Sequence, residues 1–124
     1  LGLDQYAYVA NKDNSEYISQ REIAYWRKHP NLQGWMHNLW TKKGEPGKDP
    51  KYPEFNGIEL ELTWEDIDQL ATELALDNLS KLNTTGFFFG DANDDYYRED
   101  DLRFISQAKA ELFMGFRVFY NSSW

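Results

Sequence analysis

Cysteine is absent from the 124 residues. That removes a disulfide framework, a thiolate zinc site and a cysteine nucleophile together, and it is compatible with either redox compartment. Histidine is scarce: His29 and His37 lie eight positions apart, without the i, i+4 spacing of the helical zinc protease motif, and read as surface or hydrogen-bonded residues. Long apolar runs are missing as well. Runs such as Phe87 to Phe89 fall far below the roughly 18 residues that span a bilayer, and no basic-then-apolar leader is expected at the start of the sequence. No Walker loop or dinucleotide glycine pattern occurs, and the serines have no nucleophile-elbow context. Neither an internal repeat nor a low-complexity segment is present. The expectation is a soluble, intracellular protein with no cofactor, no metal and no catalytic constellation.

What the chain does have is aromatic surface. Aromatics make up 17% and hydrophobic residues 41% of it, enough to offset chain entropy despite a mean hydropathy of −0.76. At this length a single domain spanning residues 1–124 is expected. The net charge of −8 is unevenly placed, with +4 over residues 27–51 and −11 over residues 57–101. Such a chain repels nucleic acid over most of its surface, so a partner with a basic patch fits better.

Periodicity predicts the elements. "LGLDQYAYVA" alternates Leu3, Gln5, Ala7 and Val9 against Asp4, Tyr6 and Tyr8, as a half-buried strand does. "ISQREIAYW" reads as a second short strand or the approach to a helix. Pro30 suits a helix start, and Leu32, Trp35, Met36, Leu39 and Trp40 then form one stripe that Gly44 ends. "GEPGKDPKYPEFNG" holds three prolines and three glycines and is an irregular loop, either mobile or functional. "IELELT" turns Ile58, Leu60 and Leu62 inward and Glu59 and Glu61 outward. Thr63 and Asp66 cap the following helix, whose buried side runs through Trp64, Ile67, Leu70, Ala71, Leu74 and Asn78. Gly86 to Gly90 reads as a short buried strand. A last helix from about Asp95 or Tyr97 to Met114 carries Leu102, Ile105, Ala108 or Lys109, and Leu112, and "FRVFYNSSW" closes as a strand. The fold class is α+β, with three helices packed on a small, mainly antiparallel sheet of three to four strands.

Two stretches are candidate sites. From Asp91 to Asp101 there are six carboxylates, and Asp91, Asn93 and Asp95 take the first, third and fifth places of a calcium loop. The pattern then fails at Tyr96, where glycine is needed, and at Leu102, where a glutamate should close the shell, so the acids read chiefly as the charged start of the last helix. Glu59 and Glu61 share a direction that alternation alone explains, with no apolar pocket for acid and base work. The second stretch is Tyr25, Trp26, Arg27 and Lys28 at a strand-to-helix junction. Aromatic faces beside a guanidinium and an ammonium could stack a base and hold a phosphate, with Asp91 and Tyr96 completing a pocket for a small anionic or nucleotide-like ligand.

The opening "GLDQYAY", the "AYWRK" followed by "LQGWM", the "TTGFFFG" before an acidic, tyrosine-bearing stretch, and the closing "YNSSW" stand in one order along the chain. In these motifs the chain resembles a family of small bacteriophage-encoded proteins of unknown function. The resemblance implies a phage accessory protein made in the host cytoplasm, and it carries over no catalytic residue. Leu1 stands where such proteins usually begin Met-Gly-Leu-Asp, which suggests an altered start. The leading expectation is an acidic, non-enzymatic binding protein whose partner is a host or phage protein. An anionic-ligand binder or enzyme using the Tyr25 to Lys28 junction is the alternative. A structural protein that self-associates into a homo-oligomer through exposed aromatics is the third reading.

Overall fold

A computed structural model describes residues 2–10, 20–79 and 94–124. Its elements run β1 (Asp4–Ala10), β2 (Arg21–Arg27), α1 (Pro30–Lys42), β3 (Leu60–Leu62), α2 (Trp64–Ala75), α3 (Asp94–Phe113) and β4 (Arg117–Ser123). The four strands form one antiparallel sheet in the order β2-β1-β4-β3, an α+β domain with the helices on one face. The predicted strand over Gly86 to Gly90 lies outside the described residues.

Alternation decides which sheet face meets the helices. In β1, Gln5, Ala7 and Val9 point into the core and Asp4, Tyr6 and Tyr8 away from it. In β4, Val118, Tyr120 and Ser122 point inward, and Leu60 and Leu62 do so from β3. Against this inner face α1 places Leu32, Met36 and Trp40, and α2 places Ile67, Leu70 and Leu74. Phe104, Ile105 and Ala108 come from α3. The Trp26 indole meets the Phe104 ring nearly edge-on at 5.1 Å, a favourable aromatic geometry.

Helix ends follow the local chemistry. Pro30 begins α1 at a position whose amide would have no helical partner. Thr63 and Asp66 form a reciprocal capping box: the Thr63 hydroxyl accepts from the Asp66 amide at 3.2 Å, and the Asp66 carboxylate accepts from the Thr63 amide at 2.8 Å. Gly115, with φ at +94°, turns the chain from α3 into β4.

Two stripes differ from expectation. Trp64, placed on the buried side of α2, is 41% exposed, because at the first helical position it lies at the rim, where the Lys109 ammonium sits 5.2 Å from its ring centroid. Leu102 is 48% exposed, and its place in the α3 stripe is taken by Asp101 and Phe104. The proline-rich loop is pinned rather than slack: Phe55 is buried and stacks 5.0 Å from Trp40, whose indole N–H donates to the Pro46 carbonyl at 2.9 Å.

Candidate functional site

The outer face of the sheet carries no helix among the described residues. It presents Asp4, Tyr6 and Tyr8 from β1, Glu22, Tyr25 and Arg27 from β2, Arg117, Phe119 and Asn121 from β4, and Glu61 from β3, with Glu59 just before that strand bonded to Tyr8. This composition follows from the register. Tyr6 lies between Tyr25 and Asn121, and Tyr8 between Glu22 and Phe119, so a row of phenol rings is flanked by acids.

The rings are held by contacts at both ends. Tyr6 and Tyr25 lie 5.2 Å apart, and Tyr8 stacks on Phe119 at 5.5 Å. Phe119 is nearly buried although it faces outward, because Tyr8 covers one part of it and the Arg117 guanidinium lies 5.0 Å over its ring. The Tyr25 hydroxyl donates to Asp4 at 2.6 Å, and the Tyr8 hydroxyl donates to Glu59. Burial first, then the Glu59 carboxylate, pushes the Tyr8 hydroxyl well above the ordinary tyrosine range; Tyr25 is raised chiefly by its bond to Asp4. Both phenols therefore stay neutral at any physiological pH. Arg117 grips Glu61 with two bonds of 3.0 and 2.8 Å, and that fork holds the Glu61 carboxyl below its usual range.

Between Tyr6, Tyr8, Gln20, Glu22 and Asn121 lies an open groove of about 410 Å³. Among the described residues its lining has two aromatic faces, two amide side chains and a single charge, that of Glu22. Sequence reasoning put Tyr6 and Tyr8 on the right face of their strand but attached no function to them. The alternation of β1 was the available signal, whereas the pairing that brings Asn121 beside Tyr6 joins residues more than a hundred positions apart.

The β2 to α1 junction is built differently from a ligand pocket. Trp26 is 1% exposed, and its indole N–H donates to Asp101 Oδ1 at 3.0 Å. Its aromatic face belongs to the core, which corrects the expectation of a stacking surface there. Tyr25 and Arg27 lie on the outer sheet face instead, and Lys28 is exposed with φ at +59°. Tyr96 is 72% exposed on α3. Asp91, and with it the start of the acidic loop, lies outside the described residues. Tyr97, which follows Tyr96 on α3, donates its hydroxyl to the Arg27 carbonyl and lies 3.1 Å from the Lys28 carbonyl, so α3 clasps the junction backbone. A cleft of about 70 Å³ remains nearby, lined by Ile23 to Trp26 with Asp100, Arg103 and Phe104, too small for a nucleotide.

Behind that clasp is a buried polar network. The Gln5 amide pairs with the His29 backbone, donating to its carbonyl at 3.0 Å and accepting from its amide at 2.8 Å. Gln5 also donates to the Tyr120 hydroxyl at 3.0 Å, which in turn donates to Gln33. His29, fully buried, places Nε2 2.9 Å from Asp101 Oδ2, and the Tyr97 ring stacks 4.3 Å over its imidazole. The Nδ1 atom has no hydrogen-bond partner among the described residues. From the sequence, His29 reads as a surface or hydrogen-bonded residue and Asp101 as one of the acids charging the start of the last helix. The structure makes them two ends of one buried bond joining β2, α1 and α3.

No family model, curated protein or solved structure matches the chain. Among the described residues there is no group of three or more potential metal-ligating side chains, and no helix is long and apolar enough to cross a membrane.

Proposed function

We propose that this chain is a protein-binding module that engages a basic segment of its partner on the outer face of the sheet. The observation that carries the reading is the tyrosine row of Tyr6, Tyr8 and Tyr25, uncovered by any described helix and set among Asp4, Glu22, Glu59 and Glu61. Tyrosine supplies large contact area with little side-chain entropy to lose, and it is enriched where proteins bind proteins. Among the described residues four carboxylates on this face outnumber its two guanidinium groups, and Arg117 is already committed to Glu61. A net charge of −8 adds long-range attraction for a basic partner. The resemblance to bacteriophage-encoded proteins supports a host or phage protein as that partner, met in the cytoplasm of the infected bacterium.

The anionic-ligand reading has less behind it. Trp26 is occupied in the core, and the Arg27 and Lys28 carbonyls face the Tyr97 hydroxyl.

The test is affinity capture from host lysate, with and without phage infection, using the wild-type chain and a Tyr6→Ala, Tyr25→Ala variant. A basic protein retained by the wild type, released by 0.5 M salt and lost with the variant is the expected result. Capture that the variant matches, or that ignores salt, overturns the reading.

A further inference from the structure

Resting on that reading, the geometry points to a single anchor: we infer that the groove between Tyr6 and Tyr8 takes an arginine side chain of the partner. The argument begins with what lines it. Among the described residues, Tyr6, Tyr8, Gln20, Glu22 and Asn121 offer aromatic faces and carbonyl or carboxylate oxygens, with one negative charge and no cation.

An anion finds no positive group among the described residues of this lining. A purely apolar group would make no use of Glu22 or of the amide oxygens beside it. A cation satisfies both the rings and the acid. The Tyr8 ring suits it particularly well, because its hydroxyl donates to Glu59. A phenol that donates to a carboxylate has a more electron-rich face, and a cation is drawn to that face.

Guanidinium rather than ammonium follows from shape. Guanidinium is planar, stacks on an aromatic ring, and carries five N–H donors in a fixed fork. Acceptors stand on both sides of the tyrosine pair: Glu22 is the register partner of Tyr8 on β2, and Asn121 is the register partner of Tyr6 on β4. A plane lying along the β1 tyrosines can donate to both flanking strands at once. A compact ammonium has no such reach, and it gives up more hydration on entering.

The experiment is an amide-resolved NMR titration with three tetrapeptides: arginine, lysine, and citrulline, which keeps the shape of arginine without its charge. The arginine peptide is expected to give saturable shifts at the amides of Tyr6, Tyr8, Glu22 and Asn121. Half-saturation should come at a several-fold lower concentration than for the lysine peptide, and citrulline should give none. Glu22→Gln, an exposed substitution, should weaken the arginine peptide at least fivefold, and Tyr6→Leu should do likewise while the remaining spectrum keeps the folded pattern. Equal response to lysine or citrulline, or no loss in Glu22→Gln, overturns the inference. Shifts confined to Asp4, Tyr25 and Glu59 overturn the groove while leaving the basic-partner reading of the face in place. No saturable shift anywhere on the face counts against both.

Discussion

Removing the Asp101 carboxylate, as in Asp101→Ala, exposes how much the buried network holds. Asp101 is 1% exposed and accepts from the Trp26 indole at 3.0 Å through one oxygen, while its other oxygen lies 2.9 Å from His29 Nε2. Truncation strands both nitrogen groups in a site from which water is excluded. Each buried polar group left without its partner costs about 1–3 kcal/mol, and the vacated carboxylate volume adds a smaller packing loss. The expected destabilisation is therefore about 3–5 kcal/mol. Against a typical domain stability of about 5–15 kcal/mol, that is a large fraction. Urea unfolding followed by tryptophan fluorescence measures it, and the midpoint should fall with little change in slope. Trp26→Phe in the same background should cost less than it does alone, since the stranded indole N–H has gone with it. A loss below about 1 kcal/mol for Asp101→Ala, or strict additivity with Trp26→Phe, would refute the view of Asp101 as the shared acceptor.

Two further outcomes follow from local geometry. Thr63→Ala removes the hydroxyl that accepts from the Asp66 amide and should cost about 1 kcal/mol, seen as a fall of roughly 4 °C in Tm by calorimetry. Glu61→Gln probes pH dependence: the Arg117 fork depresses the folded-state Glu61 pKa, so its stabilisation is complete above the ordinary glutamate value of roughly 4.3 and fades as pH falls through the lower folded value. Unfolding curves for wild type and variant, measured from pH 7 to pH 3, should therefore converge at the acid end. Divergence there would reverse the assigned sign.

Most of the secondary structure was legible because its signals are local. The β1 alternation, the Thr63 capping box, the Pro30 start and the Leu32, Met36, Trp40 stripe each depend on neighbours within a few residues, and each stands in the fold. The errors lie where a distant partner reverses a local preference. Asp101 reads as one of a run of acids charging the start of α3, yet Trp26 and His29 bring it partners that make burial tolerable. Leu102, its apolar neighbour, is turned outward by the same rotation of α3. Trp26 reads as available for stacking until the helix that covers it is in place. The groove was hidden for a similar reason: its floor lies in one strand, but its two walls arrive by pairings that composition does not reveal.

The place of β4 between β1 and β3 bears on how the molecule comes into being. Residues Asp4 to Ala10 find one of their two strand neighbours only at Arg117 to Ser123, and Leu60 to Leu62 rely on the same late strand. During synthesis the ribosome releases the β1 and β3 strands well before the segment that joins them. Until it emerges, the β1–β2 pair and the helices can form only locally, with the aliphatic undersides of both strands uncovered. Such long loop closure slows folding and lengthens the interval in which a nascent chain depends on chaperones. Abundance of this protein in a cell should therefore respond more sharply to substitutions at Val118 and Tyr120 than to equally buried positions in α2.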